Sequence, residues 1–384
     1  MHWLKLLALL ASIGAQSCAT GALQSSQRQQ WSGGGARALR AQRHRASPFA
    51  RIAAPPLRDD PDAAKFVSGT VPLDTDGNPV YAHEGHIITQ DDGLFLWYGT
   101  SQKQPLGGSE WASDSIRLYT SRDLASWRSR GRVFTNASIP ALGAPPPYSI
   151  GPVKALYNPA RRQYVLLFGV SSPGGGYSTL GFASAVSPLG PFKWELAAAA
   201  DGWPYGDAAA AADAGGGGAY LARSLGANGT VLSRLKDDYL GTTGACSSVP
   251  AAGAPALFQS GGRWYLLSAR HTGFEPAAPP QLFVSGGPDP CGGGWSKLPP
   301  LGGRRGAGAG FGGRPAFVFT QRWGDGGELQ IYAGDRWNAR GAGGVANASY
   351  VFLPLLPAGG DPPAFTLPRL ERWRVGDFRP AAPS

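Results

Sequence analysis

A pattern of four short strands recurs along the chain and constrains its fold more than any other feature. The clearest copy runs from Asp74 to Phe134 and is rich in aromatic and β-branched residues, with Gly and Asp between its segments. Short segments of this kind are typical of antiparallel sheets rather than of βαβ units. The strands predicted in this copy are Val80–Ile88, Leu94–Gly99, Ile116–Ser121 and Trp127–Phe134.

Four further copies follow the first. The second opens near Tyr148, and the others contain the segments GDAAAAAD, GAPALFQ and GRPAFVFTQR. Five such units predict an all-β fold, a five-bladed β-propeller, in which each sheet is buried between its neighbours and exposes only short edges. The first strand of each blade lines the axis, so we expect the chemistry of the protein at the starts of these strands.

The N-terminal region reads differently from the repeats. Residues 1–19 predict a secretory signal peptide, with Lys5 before the apolar run Leu6–Ala15 and a small-residue cleavage site at Ser17–Ala19. Residues 20–65 lack periodicity and predict a disordered stem. The propeller is predicted for residues 66–378 and a short tail for 379–384. We therefore expect export through the endoplasmic reticulum to the outside of the cell.

The positive charge of the chain lies in this N-terminal region. The formal net charge is +10, but eight basic and no acidic residues precede Asp59, which leaves 27 basic and 25 acidic residues beyond it. An Arg-rich arm could bind a polyanion, although a solvated linker explains it as well. The nearly neutral remainder argues against nucleic-acid binding. We expect a monomer that leaves the membrane once its signal is cleaved.

Cysteines and sequons fit an oxidising compartment. With Cys18 at the edge of the signal, Cys246 and Cys291 remain as an even pair, for which a disulfide is predicted and two buried thiols are the alternative. Two Cys and scattered His have no zinc-site spacing, so no metal or other cofactor is predicted. The predicted N-glycosylation sites are Asn136, Asn228 and Asn347.

Several segments, taken in order, resemble glycoside hydrolase family 43, in its branch of exo-β-1,3-galactanases. They include DTDGNPVYAHEGHI, IRLYTSRDLASW, RLKDDYLG, GAPALFQSGGRWYLLSARHTGF and YAGDRWNARG, and together they extend from about Phe66 to Arg374. The resemblance implies the five-bladed fold and a glycan ligand, a polysaccharide or oligosaccharide of galactan or arabinogalactan type.

Three polar groups that the resemblance implies are replaced. The family's general acid, a Glu, falls at Gly253, and a Glu that opens the second blade in the galactanase branch falls at Gly151. A Gln of the fifth blade falls near Arg314, which we place among the candidate substrate-binding residues. Because inverting hydrolysis needs an acid and a base, these changes argue against full activity.

Two acidic residues match catalytic positions of the family. Glu84, at the start of the first blade, falls at the position of the base, where it could act as base or bind a sugar hydroxyl; a side chain pointing to solvent is the alternative. Asp207 matches the residue that tunes the pKa of the acid, and capping of a strand end is its alternative role. Glu275, in a loop of the fourth blade, is a weaker candidate for the missing acid.

Four further residues match the family near the axis. His83 could bind a ligand or be a buried structural residue. Asp335 and Arg336 could bind hydroxyls or form an ion pair, and Trp337 could stack on a sugar or pack in the core. Two hypotheses result: a secreted glycan-binding protein with weak or no turnover, or an exo-acting galactan hydrolase that uses Glu84 as base and Asp207 as modulator.

Overall fold

Each of the five repeats forms a four-stranded antiparallel sheet whose strands follow one another in chain order. The structure is a computed structural model that describes residues 64–107, 110–172, 176–198, 206–216, 218–302, 309–337 and 344–379. The prediction of an all-β five-bladed propeller is confirmed.

Blades 1 and 2 cover the first part of the propeller sequence. The strand β1 (Phe66–Val67) precedes them. Blade 1 contains β2 (His83–Thr89), β3 (Phe95–Thr100), the separate hairpin β4 (Gln104–Gly107) and β5 (Glu110–Ala112), β6 (Ser115–Ser121) and β7 (Arg128–Thr135). Blade 2 contains β8 (Ser149–Asn158), β9 (Gln163–Ser171), β10 (Ser178–Ala185) and β11 (Lys193–Ala198).

Blades 3 to 5 follow the same meander. Blade 3 contains β12 (Ala208–Ala212), β13 (Ala219–Ser224), β14 (Thr230–Leu235) and β15 (Thr242–Val249). Blade 4 contains β16 (Ala254–Ser260), β17 (Arg263–Ala269), β18 (Gln281–Ser285) and β19 (Trp295–Lys297). Blade 5 contains β20 (Arg314–Arg322), β21 (Glu328–Arg336), β22 (Ser349–Pro357) and β23 (Phe365–Thr366), and β24 (Arg372–Trp373) follows it.

Among the described residues, the helical segments are short 3-10 turns that lie between strands, apart from the last, which follows β24. They span Asn136–Ser138, Gly226–Asn228, Ala309–Gly312, Gly344–Asn347 and Val375–Phe378. Each of the three predicted glycosylation residues lies in one of these turns. Asn228 and Asn347 are exposed, whereas the Asn136 amide donates a 2.8 Å hydrogen bond to the Tyr148 carbonyl.

The hydrophobic core lies between the blades. Five large clusters of buried side chains each join two neighbouring blades, and one of them joins blade 5 to blade 1. Alternating strand residues bury both faces of each sheet in this way, which is how radial repetition replaces a single central core. Pairs that represent the five interfaces are Trp97 with Phe352, Phe134 with Phe168, Leu167 with Leu221, Tyr220 with Trp264 and Phe258 with Leu353.

The ring closes where the two ends of the propeller meet. Strand β1 pairs antiparallel with β24, with Phe66 opposite Trp373. Phe66 also stacks on Phe352 of blade 5, with ring centroids 4.5 Å apart. The beginning and the end of the propeller sequence are therefore joined by backbone hydrogen bonds and by the cluster between blades 5 and 1.

Blades 3 and 4 are joined by a covalent link. Cys246 of β15 and Cys291, in the loop between β18 and β19, form a disulfide with their Cα atoms 5.2 Å apart.

Some predictions concern the two ends of the chain, which the structure does not describe. The predicted signal peptide, residues 20–63 of the predicted stem and residues 380–384 of the tail lie outside the described residues. Within the described ranges, no helix is long and apolar enough to cross a membrane.

Candidate functional site

The innermost strands of blades 1, 2 and 5 each begin with a β-bulge. The register shifts between His83 and His86 in β2, between Ile150 and Val153 in β8, and between Pro315 and Phe317 in β20. A bulge redirects the side chains that flank it. These three irregularities surround one small group of charged residues, which we call the axial cluster. Its members are Glu84, Lys103, Lys154, Asp207, Arg314 and Asp335.

Glu84 lies within the bulge of blade 1 in a left-handed backbone conformation, with φ of 53°. A non-glycine residue in this region costs free energy and persists only where its surroundings hold it. The Glu84 amide donates a 2.8 Å hydrogen bond to Oδ2 of Asp335. The next residue must be glycine, because a Cβ at Gly85 would lie 2.2 Å from the Tyr98 carbonyl oxygen. The bulge thus turns the Glu84 carboxylate inward, where it is 8% exposed.

Two cations hold the Glu84 carboxylate. Oε1 lies 2.9 Å from Nη2 of Arg314, and Oε2 lies 2.8 Å from Nζ of Lys103. Burial alone would raise the pKa of Glu84, but the charges of Lys103 and Arg314 outweigh it and lower the pKa below its usual value. Glu84 is therefore an ionised, fully paired carboxylate at neutral pH.

Arg314 bridges the two acidic residues predicted to be catalytic. Its second terminal nitrogen, Nη1, lies 3.5 Å from Oδ1 of Asp207. The guanidinium also lies over the ring of Trp337, 5.2 Å from the ring centroid. Although burial acts in the opposite direction, Asp207, Glu84 and Asp335 raise the pKa of Arg314. A permanently charged group thus fills the space between Glu84 and Asp207.

Asp207 has a second partner at the mouth of the site. Its Oδ2 lies 2.6 Å from Nε2 of His271, which follows the second strand of blade 4. Burial would raise the pKa of Asp207, but Arg314 and the hydrogen bond from His271 lower it to about 2. Like Glu84, Asp207 has no proton to give at neutral pH.

Lys154 closes the inner end of the cluster. Its ammonium group donates hydrogen bonds to the carbonyls of Gly85 and Ala316, both at 2.9 Å, and lies 3.4 Å from that of Glu84. Burial lowers the pKa of Lys154 to about 8, even though the nearby carboxylates favour its charged form. Lys154 therefore ties the bulge of blade 1 to the first strand of blade 5 and is itself inaccessible.

His83 and Trp337 are buried beside the cluster, where His83 faces its member Asp335. Nδ1 of His83 lies 3.6 Å from Oδ1 of Asp335, and its ring stacks on Tyr350 with centroids 4.8 Å apart. The ring of Trp337 packs against His83, Phe274 and Arg314 and is 4% exposed. Packing of this kind leaves the indole no open face for stacking on a sugar.

Little space remains at the axis. The pocket lined by Glu84, Asp207, Arg314 and Asp335 encloses about 10 Å³, close to the volume that holds one water molecule. Pockets that hold small organic ligands are typically about 300 Å³ or more. A sugar ring does not fit among these side chains as they are arranged here.

The two glycines at the positions implied for glutamates differ in their surroundings. Gly253, directly before β16, has φ of 107°, and a Cβ there would lie 1.9 Å from the Ala269 carbonyl oxygen. Gly151 has open space by comparison, since its nearest neighbour, Cα of Gly169, would be 3.5 Å from a Cβ. The backbone around Gly253 has no place for a side chain.

The structure brings most of the predicted site residues together. Glu84, Asp207, Arg314 and Asp335 line one pocket, and His83 and Trp337 pack against it. Glu275 lies farther along the loop of His271, with its amide bonded to the Thr272 carbonyl. Among the described residues, no group of three or more His, Cys, Asp or Glu side chains is placed to hold a metal ion.

Sequence reasoning missed Lys103 and His271 as partners of the acids. Both follow the second strand of their blade, whereas the sequence predicts chemistry only at the starts of the first strands. In an antiparallel pair these two places lie at the same edge of the sheet, as His83 opposite Thr100 and Ala254 opposite Ala269 show. The antiparallel pairing of the first two strands in each blade could therefore have pointed to Lys103 and His271.

Comparison with solved structures identifies close matches in fold. An exo-β-1,3-galactanase from Phanerochaete chrysosporium, solved with β-1,3-galactotriose, has a TM-score of 0.67 and 22% identity over 82% of this chain and 68% of that one. An exo-β-1,3-galactanase from Clostridium thermocellum has a TM-score of 0.67 and 24% identity, over 80% and 66% of the two chains. A family 43 β-1,3-galactosidase solved with galactodeoxynojirimycin has a TM-score of 0.67 and 20% identity, over 80% and 99%.

The comparisons bear on fold rather than on activity. No family model matches the chain, and no curated protein does. The chain spans about two thirds of the length of the two galactanases. At identities of 20 to 24% the likeness concerns the backbone. The chain has the five-bladed β-propeller fold of glycoside hydrolase family 43 structures.

Proposed function

We propose that this protein is a secreted, non-hydrolytic glycan-binding protein for galactan-type chains, built on a propeller of the glycoside hydrolase family 43 type. The observation that carries the proposal is the position of Arg314, whose guanidinium lies 2.9 Å from Glu84 and 3.5 Å from Asp207. The two carboxylates with catalytic positions are thus paired with a cation instead of facing a substrate.

Inverting hydrolysis requires room for a sugar and a water between a protonated acid and an ionised base. Here the lowered pKa values of Glu84 and Asp207 leave both ionised, and the space beside them holds about one water. Loss of a general acid alone reduces the rate by roughly 10²–10⁴-fold. Gly253, at the position implied for that acid, has no room for a side chain.

The choice of ligand is supported by the fold neighbours. They include exo-β-1,3-galactanases, one of them solved with β-1,3-galactotriose. Export is supported by the predicted signal peptide and by two exposed sequons, at Asn228 and Asn347. The disulfide between Cys246 and Cys291 fits an oxidising compartment.

A hydrolase is the alternative, and one observation favours it. Glu84, Asp207 and Asp335 line the same pocket, so carboxylates do converge at the axis. In that alternative Glu84 would act as base and Asp207 as modulator, after Arg314 and Lys103 had moved aside.

The test is incubation of the full chain with β-1,3-galactotriose, with equilibrium binding and released galactose measured on the same samples. We expect binding in the micromolar to millimolar range, without release of galactose. Release that is abolished by Glu84→Gln would overturn the proposal in favour of the hydrolase. Failure of the trisaccharide to bind would overturn the choice of ligand.

A further inference from the structure

A larger cavity lies beside the axial cluster and is distinct from it. It encloses about 480 Å³, which lies within the range typical of small-ligand sites. Trp337 forms a wall between the two, because it borders this cavity and also packs against Arg314. The described residues that line the cavity include Gly69, Thr70, Arg336, Trp337, Asn347 and Ser349.

The described lining carries a single charged side chain, that of Arg336. No acidic residue is among the described lining residues. Asp335, its neighbour in sequence, is buried and is engaged by the Glu84 amide and by His83. Alternation along β21 directs the two side chains to opposite faces of the strand. The exposed Arg336 therefore makes the described part of this cavity electropositive, whereas Glu84 and Asp207 of the axial cluster are paired with cations.

The Arg336 side chain extends towards the loop at Gly69. A Cβ at Gly69 would lie 2.8 Å from its Nη1. Ser349 lies directly opposite Arg336 in the pairing of β21 with β22. Ser349 and Thr70 line the cavity together with Arg336.

We propose that this cavity binds a sugar residue that carries an anionic group, a carboxylate or a sulfate ester, with Arg336 as the residue that selects it. The planar guanidinium offers two parallel N–H donors, a geometry that matches both anions. Two hydroxyl side chains of the lining, those of Ser349 and Thr70, can meet the sugar hydroxyls. The proposal rests on the proposed glycan-binding function and adds an acidic decoration of the galactan-type chain.

The test uses the full chain, produced in an oxidising compartment of a host that adds no N-glycans, so that Asn347 is unmodified. Three trisaccharides are compared by calorimetry: neutral β-1,3-galactotriose, the same chain with a terminal uronate, and the same chain with a sulfate ester. We expect at least one anionic ligand to bind about 10-fold more tightly than the neutral one. The better of the two anionic ligands identifies the group that is recognised.

Three variants distinguish recognition of the anion by Arg336 from a general attraction of anionic ligands to the positive charges of the protein. Arg336→Gln should remove the difference between anionic and neutral ligands, and Arg336→Lys, which keeps the charge but not the planar fork, should keep only part of it. Arg372→Gln, at an exposed arginine on β24, is the matched control and should leave the difference intact. The preference should also shrink as salt rises.

Failure of this inference is distinguishable from failure of the proposed function. Equal affinity for neutral and anionic ligands in the wild type, or a preference that survives Arg336→Gln, would overturn the inference and leave glycan binding intact. If none of the three trisaccharides binds, both proposals are overturned. Release of galactose would overturn only the non-hydrolytic function.

Discussion

Arg314 is the residue whose contacts decide whether Glu84 and Asp207 are available for chemistry. It is 7% exposed and bridges both carboxylates, and it lies over Trp337. A buried charge that loses its partner is costly, since its desolvation is no longer offset. Arg314 is therefore a structural requirement of the cluster as well as an obstacle to catalysis.

Arg314→Gln is expected to lower the free energy of unfolding by about 3–5 kcal/mol, because the buried Glu84 carboxylate and the partly exposed Asp207 carboxylate lose their shared cation. Urea unfolding at neutral pH measures the change. The matched control is Arg322→Gln, which breaks an exposed ion pair with Glu328 and should cost less than about 1 kcal/mol. Equal losses in the two variants would contradict a buried network around Arg314.

Asp207 makes stability depend on acid pH. Its pKa is lowered from 3.8 to about 2 in the folded protein, so its contribution is complete above pH 3.8 and is lost as pH falls towards 2. The contribution amounts to roughly 2 kcal/mol. Unfolding free energies measured from pH 5 to pH 2 should fall more steeply in the wild type than in Asp207→Asn. Parallel pH profiles would mean that Asp207 is not held ionised.

At the scale of the strand, the bulges at the axis explain both the site and what sequence reasoning left out. Repeats of apolar strands and turn residues were sufficient to predict five sheets in their correct order. The strand limits shifted slightly: β2 begins at His83 rather than Val80, because the Val80 amide is hydrogen-bonded to the Pro72 carbonyl outside the sheet. Bulges depend on register between strands, so the contacts of Glu84 were not predictable from its own strand.

The residues that pair with Glu84 and Asp207 were also not predictable from the strands that carry these two acids. Matching to a known family placed Glu84, Asp207 and Arg314 at the axis, because their positions follow from the starts of inner strands. Lys103 reaches Glu84 from beyond the end of β3, and only the pairing of β2 with β3 brings it there. The character of the site, with Glu84 held by Lys103 and Arg314 and with Arg314 also paired to Asp207, results from those long-range contacts.

Substitution of alanine for Gly253 and for Gly151 compares two glycines near the inner strands that differ in the space around them. Gly253→Ala is expected to destabilise the protein by about 2–4 kcal/mol, because the backbone there has a positive φ and the added Cβ meets the Ala269 carbonyl. Gly151→Ala should change stability by less than about 1 kcal/mol, since its Cβ would have ordinary contacts. Thermal unfolding compares them, and equal shifts would show that the two glycines share one environment.

At the scale of the whole molecule, the ring is held by five interfaces between blades, by the pairing of β1 with β24, and by one disulfide. Each interface is a separate hydrophobic cluster, so no blade is buried without its neighbours. The disulfide links blades 3 and 4, where the first strand of blade 3 consists of five alanines that bury little apolar area.

Removal of this disulfide should therefore lower the free energy of unfolding of the propeller. Its cysteines are 45 residues apart, and loop-closure entropy for that separation corresponds to about 4 kcal/mol. The double variant Cys246→Ala/Cys291→Ala is expected to lose up to that amount in urea unfolding under oxidising conditions. Wild-type protein treated with a reductant serves as the control and should lose a similar amount. An unchanged unfolding midpoint in both would contradict a role of the disulfide in stability.

The most direct test of the central claim, that the paired carboxylates at the axis perform no hydrolysis, uses an aryl β-galactoside with a nitrophenolate leaving group. Such a leaving group departs without protonation, so the lack of a general acid does not limit the reaction and even a weak base would be detected. We expect the wild type, Glu84→Gln and a blank to release nitrophenolate at the same rate. Faster release by the wild type that is lost in Glu84→Gln would show that Glu84 still acts as a base and would contradict the account.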